Sequence, residues 1–112
     1  MKRGEYGATL FDGDHVFVAP AFPLYDVVDP TGAGDSFAGG LMGYLAGVEE
    51  VNSTTLRQAM IAGSALASFT VQGFGLDRLK AVHNGEISER AQAFKALTHF
   101  DEIGDAALRT VA

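Results

Sequence analysis

The stretch that most constrains this chain is Asp29-Pro30-Thr31-Gly32-Ala33-Gly34-Asp35, which runs straight into a pattern of helical period. Phe37, Leu41, Tyr44, Leu45 and Val48 share one broad apolar face of that pattern. The proline and the two glycines interrupt whatever precedes them, so the chain turns here and starts a helix at a defined point. The first turn of a helix has N–H groups with no intrahelical partner, and the aligned peptide dipoles make that end partly positive. An anion placed there gains hydrogen bonds and charge complementarity together. Asp35 falls in that first turn, where the dipole favours a carboxylate able to accept a proton. Glycine spacing alone fits a second arrangement equally well, a helix with a glycine-rich lead-in, an acidic first turn and no ligand.

Two common phosphate motifs are excluded. A P-loop needs Lys followed by Ser or Thr, and here Gly39 is followed by Gly40-Leu41. A dinucleotide fingerprint needs a third glycine where Phe37 stands, and an apolar strand where Asp26, Asp29 and Pro30 intervene.

The run does resemble one family at every fixed position. The ribokinase-like (PfkB) sugar and nucleoside kinases carry D-x-T-G-A-G-D-x-F near their C-terminus, and residues 29–37 read Asp-Pro-Thr-Gly-Ala-Gly-Asp-Ser-Phe. The resemblance extends over residues 2 to about 79. It implies an α/β fold, the C-terminal part of a Rossmann-type α/β/α sandwich, with a β-hairpin followed by packed helices. Residues 1–112 would form one partial domain, with most of the sugar-binding part and the lid in a missing N-terminal portion. The implied activity is ATP-dependent phosphoryl transfer to a hydroxyl of a sugar or nucleoside. Gly32, Ala33 and Gly34 would form the anion hole, and Asp35 would be the base. Lys2, Gly4 and Gly7 match the family's Lys-x-Gly-x-x-Gly segment near the nucleotide phosphates. Gly63, Ala67 and Val71 would border the adenine. Some members hold a monovalent cation such as potassium through carbonyl oxygens; by position these would be Asp29, Thr31, Thr70, Gly73 and Gly75. Magnesium is implied with the ATP. The family's magnesium-organising Asn-x-x-Glu has no counterpart here, since Asn52 is followed by Thr55 and Asn84 by Ile87.

Composition enters where it limits partners. The chain has 112 residues, 47% of them hydrophobic, which suffices for one modest core. A net charge of −6 argues against a nucleic-acid surface. With no cysteine there is neither a disulfide framework nor a thiolate metal site. Met1-Lys2-Arg3 leads into Gly4-Glu5, not an apolar run, so a cytoplasmic protein without signal peptide or membrane span is expected.

The remaining elements follow from local pattern. Ala8-Thr9-Leu10-Phe11 and His15-Val16-Phe17-Val18-Ala19 flank Asp12-Gly13-Asp14, a hairpin signal that leaves His15 at the solvent edge. Pro20 and Pro23 make the following stretch a connector, in which Phe22 packs locally. On the first helix Ser36, Gly40, Gly43 and Gly47 form a row nearly free of side chains, a place for close approach by a neighbouring helix. Ser53 or Thr54 is expected to cap a second helix running through Leu56, Ala59, Met60, Gly63, Ala67 and Thr70, rich enough in small residues to meet that row. Gly73 and Gly75 then stop it. Asn84-Gly85 reads as a turn, and residues 87–97 as an amphipathic helix with Ala91, Phe94 and Leu97 inward and Glu89, Arg90, Gln92 and Lys95 outward. A competing reading is an inactive, self-associating kinase piece, a homo-oligomer joined over its sheet edge and small-residue faces.

Overall fold

The computed structural model describes residues 7–23, 33–72 and 84–110. It begins with an antiparallel hairpin of β1 (Ala8–Asp12) and β2 (His15–Ala19), registered from Ala8 opposite Ala19 to Asp12 opposite His15. The two-residue loop places Gly13 at φ 61, with no non-glycine at positive φ among the described residues. A left-handed glycine at the first loop position and an ordinary residue at the second is what a type II′ turn needs. The turn is therefore built on Gly13-Asp14, one residue later than an Asp-Gly turn. Asp12 accepts a hydrogen bond from the Ser53 hydroxyl, tying the hairpin tip to the start of the second helix.

Two long helices follow, α1 (Ala33–Gly47) and α2 (Ser53–Gln72). Asn52 caps α2, rather than Ser53 or Thr54. The Thr55 amide donates to Asn52 Oδ1 at 2.9 Å, and the Asn52 amide donates to Thr55 Oγ1 at 2.8 Å. Each side chain thus satisfies the other's backbone donor, the reciprocity of a capping box. Ser53 is instead the first residue of α2, and its hydroxyl donates to Asp12.

α1 and α2 pack antiparallel along one seam. Ser36 meets Thr70 at one end, Gly40 meets Gly63 in the middle, and Tyr44 donates to Gln58 Oε1 at 2.8 Å at the other. The middle contact is backbone against backbone: a Cβ on Gly40 would stand 2.8 Å from the Gly63 Cα, and one on Gly63 would stand 2.6 Å from the Phe37 carbonyl oxygen. The expected row is half used, since Gly43 and Gly47 face open space. At about 100° per residue the 36, 40, 44 line drifts slowly across the helix, whereas a step of three swings the other way, off the seam.

The core lies where the inner face of the hairpin meets both helices. Ala8, Ala19 and Met60 are buried at its centre, with Leu10, Phe17, Phe37, Leu41 and Ile61 packed round them. α3 (Asn84–Thr98) docks on the C-terminal half of α2, and a short α4 (Asp105–Arg109) is wholly exposed. Asn84 and Gly85 open α3 instead of forming a turn. Arg90 and Leu97 exchange their expected places. Arg90 lies over the rings of Phe69 and Phe22, at 4.1 and 4.6 Å, and donates to Ser68 Oγ at 2.7 Å, while Leu97 is 48% exposed. Phe94 is buried and meets Phe22, so that connector residue packs on α3, far along the chain, rather than locally as expected. No helix among the described residues is long and apolar enough to cross a membrane.

Candidate functional site

The N-terminus of α1 is the point on which the sequence expectations converge. Ala33 opens the helix, Gly34 and Asp35 follow, and both of the latter are exposed, whereas Ser36 is half-buried. The first-turn amides point along the helix axis at this end, and the exposed Asp35 belongs to the same turn. Gly32, with Asp29 and Thr31, lies outside the described residues, so the described part of the expected anion hole is Ala33, Gly34 and Asp35.

What holds this turn in place is a pair of hydroxyls. Ser36 Oγ and Thr70 Oγ1 are 2.6 Å apart, and Thr70 is 2% exposed. Thr70 Oγ1 also donates to the Leu66 carbonyl at 3.3 Å. A threonine hydroxyl has one proton to give. Both contacts are made together only if Ser36 donates to Thr70 and Thr70 donates to Leu66. The proton of Ser36 then points at α2, and a bound anion would be met by backbone amides of this turn.

The sequence reading had Ser36 in a small-residue row and Thr70 among cation donors, and it did not pair them. The available signal was that each hydroxyl sits on the same helix face as a close-approach glycine, four residues from Gly40 and seven from Gly63.

The other expected site residues scatter. Gly7 adopts φ 97, and a Cβ there would lie 2.1 Å from the Ala19 carbonyl oxygen, so its glycine is required by the hairpin itself. Lys2 and Gly4 lie outside the described residues. Gly63 is buried in the helix seam, and Ala67 and Val71 are half-buried farther along α2. Of the implied cation donors only Thr70 is described, Gly73 and Gly75 being outside as well. Among the described residues no group of His, Cys, Asp or Glu could hold a metal ion. A hollow of about 110 Å³ between β1, α1 and α2 is lined by Ala8, Thr9, Leu10, Phe37, Leu41, Leu56 and Met60. With no charged side chain in its wall, it does not suit a polyphosphate.

The family model described as pfkB family carbohydrate kinase matches residues 1–81. Over 95 residues the chain is 34% identical to an inositol 3-kinase of Arabidopsis thaliana, covering 85% of this chain and 25% of that protein. Its fold is similar to the crystal structure of an aminoimidazole riboside kinase from Salmonella enterica, complexed with aminoimidazole riboside and an ATP analog. The TM-score is 0.67 at 31% identity, over 78% of this chain and 29% of that one. A nucleoside kinase of Methanocaldococcus jannaschii, an archaeal member of the ribokinase family, gives a TM-score of 0.64 at 28% identity, over 82% and 29%. The chain spans about a quarter of the length of the curated relative described here.

Proposed function

We propose that this chain, which belongs to the pfkB family of carbohydrate kinases, carries the anion hole and the catalytic base of an ATP-dependent sugar or nucleoside kinase. The observation that carries the reading is the two-sided first turn of α1. Gly34 and Asp35 are exposed on one side, and Ser36 is fastened to α2 on the other. Such a turn is anchored yet open, as an anion hole must be.

In the proposed reaction the acceptor hydroxyl oxygen attacks the γ-phosphorus of ATP. The bond from that phosphorus to the β,γ-bridging oxygen breaks, ADP leaves, and Asp35 takes the hydroxyl proton. The amides of residues 32–35 hold the charge spread over the phosphoryl oxygens. Positioning and charge stabilisation of this kind supply most of the catalysis in phosphoryl transfer. No step is routed through a metal ion. The Salmonella relative's complex with a riboside and an ATP analog supports the substrate classes.

The test is calorimetry with ADP and a non-hydrolysable ATP analog, alongside a turnover assay on a panel of sugars and nucleosides, for the wild type and Asp35→Asn. Nucleotide affinity is expected to survive the substitution within about threefold, while turnover falls by roughly a hundredfold or more. Full turnover by Asp35→Asn removes the base assignment. A folded wild type that takes up no nucleotide removes the reading altogether.

One observation favours a second reading, a catalytically inactive piece that self-associates and at most binds nucleotide. Phe11, Val16 and Val18 are 63%, 55% and 57% exposed. Nucleotide binding without turnover on any acceptor would select it.

A further inference from the structure

We propose that Thr70 is a positioning residue for the α1 anion hole, acting through Ser36. The inference rests on the functional reading above and adds a residue to it. The Ser36–Thr70 bond joins the first turn of α1 to the last turns of α2, 34 residues away in sequence, at 2.6 Å. It lies one residue from Asp35. Because the Thr70 proton is taken by the Leu66 carbonyl, the direction of the whole relay is fixed, from Ser36 to Thr70 to the α2 backbone.

The seam geometry says what this bond controls. Gly40 and Gly63 let the helix backbones touch, but a contact between two glycines has no side chain to set the rotation of α1 about its own axis. The packing of Phe37 and Leu41 on the core sets it in the middle of the helix, and hydrogen bonds set it at the two ends of the seam. One is Ser36 to Thr70 beside Asp35, and the other is Tyr44 to Gln58, two turns away. A helical residue turns about 100° from its neighbour, so the rotation that directs Ser36 at Thr70 also sets the direction of Asp35, and the same bond fixes the first turn, whose N–H groups point along the helix axis, against α2. Losing the Tyr44 bond frees the far end of the helix. Losing the Thr70 bond frees the end that carries the chemistry.

The experiment compares four variants of the chain with the wild type, by calorimetric titration with ADP and by thermal unfolding. Thr70→Val keeps the shape and removes the hydroxyl, and Ser36→Ala removes the same bond from the other side, a second probe should the valine fail to fold. Both are expected to weaken ADP binding roughly three- to tenfold, the range of one hydrogen bond. Thr70→Ser is expected to restore affinity to within about twofold. Tyr44→Phe is expected to lose thermal stability as Thr70→Val does, while keeping ADP affinity within about twofold, because its bond lies far from the site. Thr70→Val and Ser36→Ala binding as the wild type does would overturn the inference and leave the kinase reading standing. Equal losses of ADP affinity in Thr70→Val and Tyr44→Phe would overturn it too, since the bond would then be a staple without local effect. A folded wild type that takes up no ADP overturns the kinase reading, and the inference falls with it.

Discussion

Two glycines less than one turn apart on α1 stand in opposite surroundings. A Cβ on Gly40 would approach the Gly63 Cα to 2.8 Å and the Ala62 carbonyl oxygen to 3.0 Å, both backbone atoms that cannot swing aside. Gly40→Ala must therefore part the helices, at a cost of about 1–3 kcal/mol, as overpacking in a core does. Gly63→Ala, meeting the Phe37 carbonyl oxygen at 2.6 Å, belongs to the same class. Gly43 has nothing within 4 Å of its built Cβ. Gly43→Ala is accordingly expected to stabilise the chain by about 1 kcal/mol, through helix propensity and a less flexible unfolded state. Urea unfolding midpoints check the contrast; a destabilised Gly43→Ala, or a neutral Gly40→Ala, would contradict the seam. The sequence showed the row of small residues plainly, and with it the expectation of a close neighbour. It could not divide the row, because Gly40 and Gly43 read alike until the crossing point with α2 is known. The same limit applied to Gly7. Its spacing suggested a phosphate loop, and its φ of 97 against the Ala19 carbonyl shows a local need for glycine.

At the scale of elements, hairpin and helices were legible because each rests on strong local chemistry, and the faces of α3 were not. A reading by hydropathy sends Arg90 outward and Leu97 inward. What decides instead is the surface that α2 offers near Phe69 and Ser68. A guanidinium is flat, stacks on rings, and carries an apolar stem that buries easily. Arg90 covers Phe69 and Phe22 and donates to Ser68, whose own hydroxyl donates to the Ala65 carbonyl at 2.6 Å. Leu97, about one turn beyond Phe94, the buried anchor of α3, stays half exposed near the end of the helix. Arg90→Gln is expected to cost about 1–3 kcal/mol, from the lost ring contacts and the charged hydrogen bond together. Arg90→Lys should recover less than half of that, since an ammonium cannot lie flat between two rings. Amide hydrogen exchange locates the effect: protection should fall in α3 and persist across the α1–α2 seam. Uniform loss along all three helices would show that Arg90 supports the whole fold rather than the docking of α3.

For the whole molecule, the question is what the hairpin leaves uncovered. The side chains of a strand alternate between faces, so Thr9, Phe11, Val16 and Val18 share one face of the register, and Leu10 and Phe17 share the other with the core. A two-stranded sheet is marginal unless packed, and on the outer face of this one Thr9 is buried while Phe11, Val16 and Val18 stay exposed. The radius of gyration, 15.7 Å, exceeds the roughly 13 Å of a compact domain of about this length, in keeping with apolar surface left unclosed. Of the two association surfaces expected from the sequence, the small-residue faces are partly used within the chain, where Gly40 meets Gly63. The outer hairpin face carries the exposed apolar residues instead. Self-association through that face is the expected outcome. Sedimentation velocity should show a sedimentation coefficient that rises with protein concentration across the micromolar range. Val16→Thr with Val18→Thr should return the chain to monomer, because threonine keeps the β-branched shape suited to a strand while replacing a methyl with a hydroxyl. Circular dichroism should show the helices unchanged, since neither valine touches the α1–α2 seam. A wild type that sediments as a compact monomer at every concentration would refute association; persistent association in the double variant would move it to another surface, with exposed Phe100 and Ile103 the next residues to replace.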